Sequence, residues 1–164
     1  MKETLERLLP KLNLSLASAQ LDTLARFGSL LLEKNQVMNL TAITEPQKVA
    51  ELHFYDCLAL LNAADFRSKR VVDIGCGAGF PGVPLKIAEP SMALTLLDSL
   101  GKRMDWLREI LPELHVEANV VTAGAALPVP WLRRGRNPRA FRQSGFPCRE
   151  YPYRWEFYNP AGCC

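Results

Sequence analysis

Three glycines at alternate positions, Gly75, Gly77 and Gly79, follow an apolar run closed by an acid in VVDIGCGAGFPG (71–82). Glycine lets the backbone turn tightly, adopt positive φ and approach a ligand with no Cβ in the way. The start of the next helix directs its amides and its partly positive end at the same place. A second apolar run, 94–97, ends in Asp98, 23 residues after Gly75. A bare bend beside an acid at a strand tip is how an α/β sheet binds a nucleotide-like cofactor, the acid taking the two ribose hydroxyls.

The spacing narrows the choice of cofactor. A dinucleotide fingerprint, G-x-G-x-x-G, needs its third glycine where this chain has Phe80, and Pro81-Gly82-Val83-Pro84 follow. A pyrophosphate needs bare backbone, so the ring argues for a ligand with an apolar body. Adenosine without a diphosphate points to S-adenosylmethionine; a dinucleotide and a purely structural turn are the alternatives. The candidate cofactor-binding residues are Asp73, Gly75, Gly77, Gly79, Phe80 and Asp98, with Asp73 fixing the loop or touching the methionine end. Neither a catalytic side chain nor a metal ligand is assigned.

These residues need elements to hold them. Leu5, Leu8, Leu9 and Leu12 share a helical face over 4–12, and a second helix from Ser15 or Ser18 carries Leu21, Leu24, Ala25, Gly28, Leu31 and Leu32. Thr44-Glu45-Pro46-Gln47 reads as a capping box opening a third helix through Val49, Leu52, His53, Asp56 and Leu60. From Arg70 the pattern becomes strand (70–74), helix (80–88), strand (93–97), helix (102–111) and strand (116–122). Alternating strands and helices predict a parallel, doubly wound sheet with right-handed crossovers. The division predicted is a helical extension (1–66) packed on the sheet, a Rossmann-like core with its first three strands (67–123), and a tail (124–164).

Composition sets the outer limits. The chain has 164 residues, 48% apolar and 23% charged, which suits one globular domain. No apolar run approaches the roughly 18 residues of a membrane span, and the amino terminus lacks the apolar stretch of a signal peptide. Five cysteines without a C-x-x-C pair argue against zinc and against a disulfide framework, so a reducing cytoplasm is expected. The net charge of +3 is uneven: 1–123 hold 13 Lys and Arg against 15 Asp and Glu, whereas 124–164 hold seven Arg against two Glu.

The tail differs in kind. It contains six of the twelve prolines and eight of the fourteen aromatics, without helical or strand period. Arginines among aromatics can grip single-stranded nucleic acid. The blander reading, preferred here, is a segment that does not continue the domain, such as the product of a shifted reading frame, leaving the sheet incomplete at its C-terminal side.

Three blocks resemble a known family, the bacterial small-subunit ribosomal RNA guanine-N7 methyltransferases (RsmG, also called GidB). They are Asn39-Leu40-Thr41-Ala42-Ile43 leading to His53-Phe54-Tyr55-Asp56, then Asp73 to Gly82, then Leu96-Leu97-Asp98-Ser99 with Lys102-Arg103. The resemblance covers about 1–123. It implies an α/β class I methyltransferase fold with an N-terminal helical extension, S-adenosylmethionine as cofactor, and small-subunit rRNA or the ribosomal subunit as partner. The family's cofactor contacts carry over to Gly75 and Phe80, and the general fold adds Asp98 at the ribose. The arginine and acid usual after strand three are replaced by Thr122-Ala123-Gly124-Ala125-Ala126.

Such a reaction needs little from side chains. Guanine N7 has an in-plane lone pair and no proton, so its methylation requires alignment rather than a general base. N7 faces a groove of A-form RNA too deep and narrow for a protein to read, so the target guanine must be unpaired or flipped. His53 and Asp56 read first as local packing partners, Lys102 and Arg103 as solvated or phosphate-contacting, and Cys76 as incidental. The competing functions are an inactive Rossmann-like remnant or interaction module, and a nicotinamide-dependent oxidoreductase.

Overall fold

The computed structural model describes residues 1–123; the expectations for 124–164 lie outside the described residues. The strands form where the sequence predicts them. β1 (Arg70–Ile74), β2 (Ala93–Asp98) and β3 (Ala118–Thr122) pair in parallel in the order β1-β2-β3. Register sets Val72 opposite Thr95 and Leu96 opposite Val120. The reversal of strand order that makes a sheet doubly wound is not contained in these three strands. β3 starts two residues later than expected because Val116 still closes the preceding helix, its amide bonding to Leu111 O at 3.0 Å with His115 at φ 53°.

Six α-helices accompany the sheet among the described residues. α1 (Lys2–Leu8) stops before Pro10, which has no N–H to donate, and a 3₁₀ turn (Leu9–Leu12) finishes what periodicity reads as one helix. α2 (Ser18–Met38) buries Leu21, Leu24, Phe27, Gly28 and Leu31, with Ala25 and Leu32 half-buried beside them. Asn39 ends it in the left-handed region at φ 48°, a conformation asparagine tolerates.

The third helical stretch differs most from expectation. Thr44 caps nothing: Glu45 is the N-cap, without a side-chain cap bond, and Pro46 occupies the first turn of α3 (Pro46–Val49). A π turn (Ala50–Phe54) follows, then α4 (Tyr55–Ala59) and a 3₁₀ turn (Leu60–Asn62). Apolar residues occur on several sides of this stretch, so tertiary packing chooses. Val49, Ala50, Phe54, Cys57 and Leu58 are buried, and Leu52 is 45% exposed.

α5 (Gly82–Ala88) and α6 (Gly101–Glu113) both pack on β2. A single buried cluster runs from Leu5 to Val116, so helices and sheet share one core. Phe27 stands at the join, with ring centroids 5.8 Å from Phe54 and 6.4 Å from Trp106. Gln20 makes a polar join: its Oε1 accepts the Ala17 N–H, and its Nε2 donates to Ile87 O and Ala88 O at 2.9 and 3.0 Å. One side chain thus serves the start of α2 and the open carbonyls at the end of α5.

Candidate cofactor site

The bend after β1 has positive φ at all three alternate glycines: 76° at Gly75, 53° at Gly77 and 92° at Gly79. They differ in what a side chain would meet. A Cβ on Gly75 would have nothing within 4 Å, and one on Gly77 only Arg103 Nη1 at 3.7 Å. A Cβ on Gly79 would stand 2.8 Å from Val83 Cγ2 and 3.0 Å from Leu107 Cδ2. Gly75 and Gly77 therefore border open space, whereas Gly79 lets the chain close on α5 and α6. Gly82 has the same packing duty, with Leu96 Cδ2 at 2.7 Å and Asp73 Oδ2 at 2.8 Å from the missing carbon.

Hydrogen bonds hold the bend rigid. The amides of Gly75 and Cys76 donate to Leu97 O, those of Gly79 and Phe80 to Cys76 O, and that of Val83 to Gly79 O. The Gly77 amide donates to Asp98 Oδ2 at 2.9 Å, and the Gly82 amide to Asp73 Oδ2 at 2.8 Å. A pyrophosphate-binding loop turns such amides toward its ligand; these seven point into the protein.

Asp98 is 8% exposed and joins two loops. Its Oδ2 takes the Gly77 amide and its Oδ1 the Leu100 amide, each at 2.9 Å. A carboxylate has about four lone-pair positions, so acceptor capacity is left for hydroxyls.

Asp73 has a different environment. Burial pushes its carboxyl up to about 7; the Gly82 amide opposes the shift and the negative charge of Asp98 adds to it. A raised folded-state value means the native protein holds an extra proton between about pH 4 and 7. Stability from this group is present below that window and declines as pH rises through it. Asp73→Asn keeps an acceptor for the Gly82 amide and removes the titration, so it should lose less stability between pH 5 and 8 than the parent chain. Urea unfolding at both values checks this; parallel losses in the two proteins would discredit the Asp73 assignment.

The ring of Phe80 turns toward the helices. Its centroid lies 4.8 Å from His53, stacked at 21°, 5.3 Å from Phe27 and 5.9 Å from Phe54. The Phe80–Pro81 peptide is cis. His53 sits in the π turn, and its Nε2 lies 2.8 Å from Thr41 Oγ1, which also accepts the Ile43 amide at 3.0 Å. Burial lowers its pKa, which favours the neutral ring. The Asn39–Ile43 block and the His53 block, separate in sequence, thus meet at the glycine bend through Phe80. Their joint appearance in the sequence was the available signal; that they meet was not readable there.

Cys76 is 2% exposed and its thiol is pushed up to about 12 by burial, so it is an inert packing group. No cluster of His, Cys, Asp or Glu suited to a metal occurs among the described residues, nor is any helix there long and apolar enough to cross a membrane.

Residues 20–127 match the family model "GidB: rRNA small subunit methyltransferase G". The chain belongs to the GidB family. The matched span takes in most of α2, the glycine bend and the three described strands, and the fold is the class I methyltransferase α/β fold with helices ahead of the sheet. Among relatives, the ribosomal RNA small subunit methyltransferase G of Desulfitobacterium hafniense (strain Y51) is 45% identical over 106 residues, 65% of this chain and 44% of that protein. The protein of the same name from Alkaliphilus oremlandii (strain OhILAs) is 46% identical over 114 residues, 69% of this chain and 48% of that one. The one from Caldanaerobacter subterraneus subsp. tengcongensis is 41% identical over 126 residues, covering 76% and 53%. This GidB-family chain therefore spans about half the length of the curated relatives it matches.

Proposed function

We propose that the chain binds S-adenosylmethionine at the carboxyl ends of β1 and β2 and serves methyl transfer to N7 of a guanine in small-subunit ribosomal RNA. One observation carries the reading: Gly75 and Gly77 leave open space directly beside Asp98. In this reading the backbone at those glycines lies along the cofactor, Asp98 takes the ribose hydroxyls, and Asp73 and Gly79 hold the bend in shape. Phe80 contributes through its backbone, since its ring is committed to His53 and Phe27. Residues 1–66 are the helical extension and 67–123 the first part of the cofactor domain. The inward-turned loop amides favour a cofactor without a pyrophosphate over a nicotinamide dinucleotide.

The chemistry is direct displacement. The N7 lone pair forms a bond to the methyl carbon as the carbon–sulfur bond breaks, leaving S-adenosylhomocysteine and a cationic N7-methylguanine. No proton moves, so the protein's work is alignment of nucleophile, methyl and sulfur. The guanine is unpaired or flipped when it reacts. A protein working on ribosomal RNA in this way would act in the cytoplasm.

Isothermal titration of the full chain with S-adenosylmethionine should give micromolar binding, and NADH should give none. Small-subunit rRNA lacking the modification, incubated with chain and cofactor, should gain N7-methylguanosine detectable by nucleoside mass spectrometry. Absence of heat at millimolar S-adenosylmethionine would defeat the cofactor reading. Binding without methyl gain would restrict it to cofactor recognition.

A further inference from the structure

The guanidinium of Arg103 lies above the bare backbone of Gly77, 3.7 Å from where a Cβ would be. It is half-buried in the first turn of α6, and among the described residues it has neither an ion pair nor a hydrogen bond. The nearby acids are already engaged: Asp98 by the Gly77 and Leu100 amides, and Asp105 by Arg108 at 2.7 Å. The amides of Gly75, Cys76, Gly77, Gly79, Phe80, Gly82 and Val83 are also spent within the protein. The bend itself therefore offers an anion little, and a cation with five donors stands over it.

Resting on the cofactor reading above, we propose that Arg103 binds the carboxylate at the methionine end of the cofactor. An adenosine sulfonium with its sugar on Asp98 and its chain along Gly77 and Gly75 carries one anionic group. The planar guanidinium fork matches a carboxylate in a two-pronged contact. The half-buried position strengthens that contact relative to a fully solvated one. Arg103 thus distinguishes cofactors with an intact amino-acid end from those cut back to the thioether.

The test compares S-adenosylhomocysteine with 5′-methylthioadenosine, which lacks the amino-acid end, by calorimetry on the full chain and on Arg103→Gln. A lost charge-assisted contact should weaken S-adenosylhomocysteine by roughly tenfold to a hundredfold and leave 5′-methylthioadenosine within about twofold. Arg103→Lys should fall between, because it keeps the charge and loses the fork. Equal weakening of both ligands, or no change in either, would overturn the assignment while leaving the cofactor reading intact. Unchanged S-adenosylhomocysteine with weakened binding of a single-stranded oligoribonucleotide would also overturn it, by giving Arg103 to an RNA phosphate. Failure of the parent chain to bind S-adenosylhomocysteine at all would instead defeat the cofactor reading, and this inference with it.

Discussion

Gly79→Ala should lower the unfolding free energy by about 3 kcal/mol, combining overpacking with a left-handed backbone imposed on alanine. The new methyl would stand 2.8 Å from Val83 Cγ2 and 3.0 Å from Leu107 Cδ2, and φ is 92°. Val83 and Leu107 are both 0% exposed, so neither has room to withdraw. Gly75→Ala provides the contrast. Its φ is 76° but nothing lies within 4 Å of the added carbon, so the expected loss is only about 1–2 kcal/mol. That methyl projects into the space assigned to cofactor, and affinity for S-adenosylhomocysteine should fall at least about tenfold. Chemical denaturation and calorimetry on both variants separate the effects. If Gly79→Ala proves as stable as Gly75→Ala, the division of the glycines into packing and ligand-facing positions is wrong.

Asp98→Asn should cost about 1.5–3 kcal/mol of stability despite preserving shape. The two carboxylate oxygens each accept a backbone amide, from Gly77 and from Leu100. Asparagine offers one acceptor and one donor group, so one amide would face an NH₂ instead of an oxygen. The site is only 8% exposed, and water cannot readily replace the lost acceptor. The same change should weaken S-adenosylhomocysteine by about tenfold to a hundredfold, through the proposed ribose contact and through loosening of the bend at Gly77. A variant that unfolds at the parent's urea midpoint would show that Asp98 does not brace the two loops. One with full stability and full affinity would remove Asp98 from the site.

Much of the local structure was readable in the residues themselves. β1 matched its predicted span, and β2 and α6 differed by only one or two residues at their ends. Apolar runs bounded by Gly, Pro or acid are local signals, and strand or helix period follows from backbone geometry. The stretch from Thr44 to Asn62 was less legible. A Thr-x-x-Gln pattern suited a capping box, but Glu45 became the N-cap with Pro46 in the first turn, and a π turn changed which side of the chain met the core.

The sequence alone determined that a strand, a bare bend, a helix, a second strand and an acid follow in that order, and glycine's freedom makes such a bend possible. It also determined the family, whose motifs are contiguous. Long-range packing, by contrast, is what leaves Gly75 and Gly77 facing open space while Gly79 and Gly82 serve packing. It likewise decided that Asp73 is pushed up to about 7 and that Phe80 stacks on His53 rather than facing outward. Those outcomes depend on neighbours brought from distant parts of the chain, as when Gln20 meets Ile87 across 67 positions. Burial, clash and desolvation are properties of such neighbours, and no local pattern of residue types encodes them.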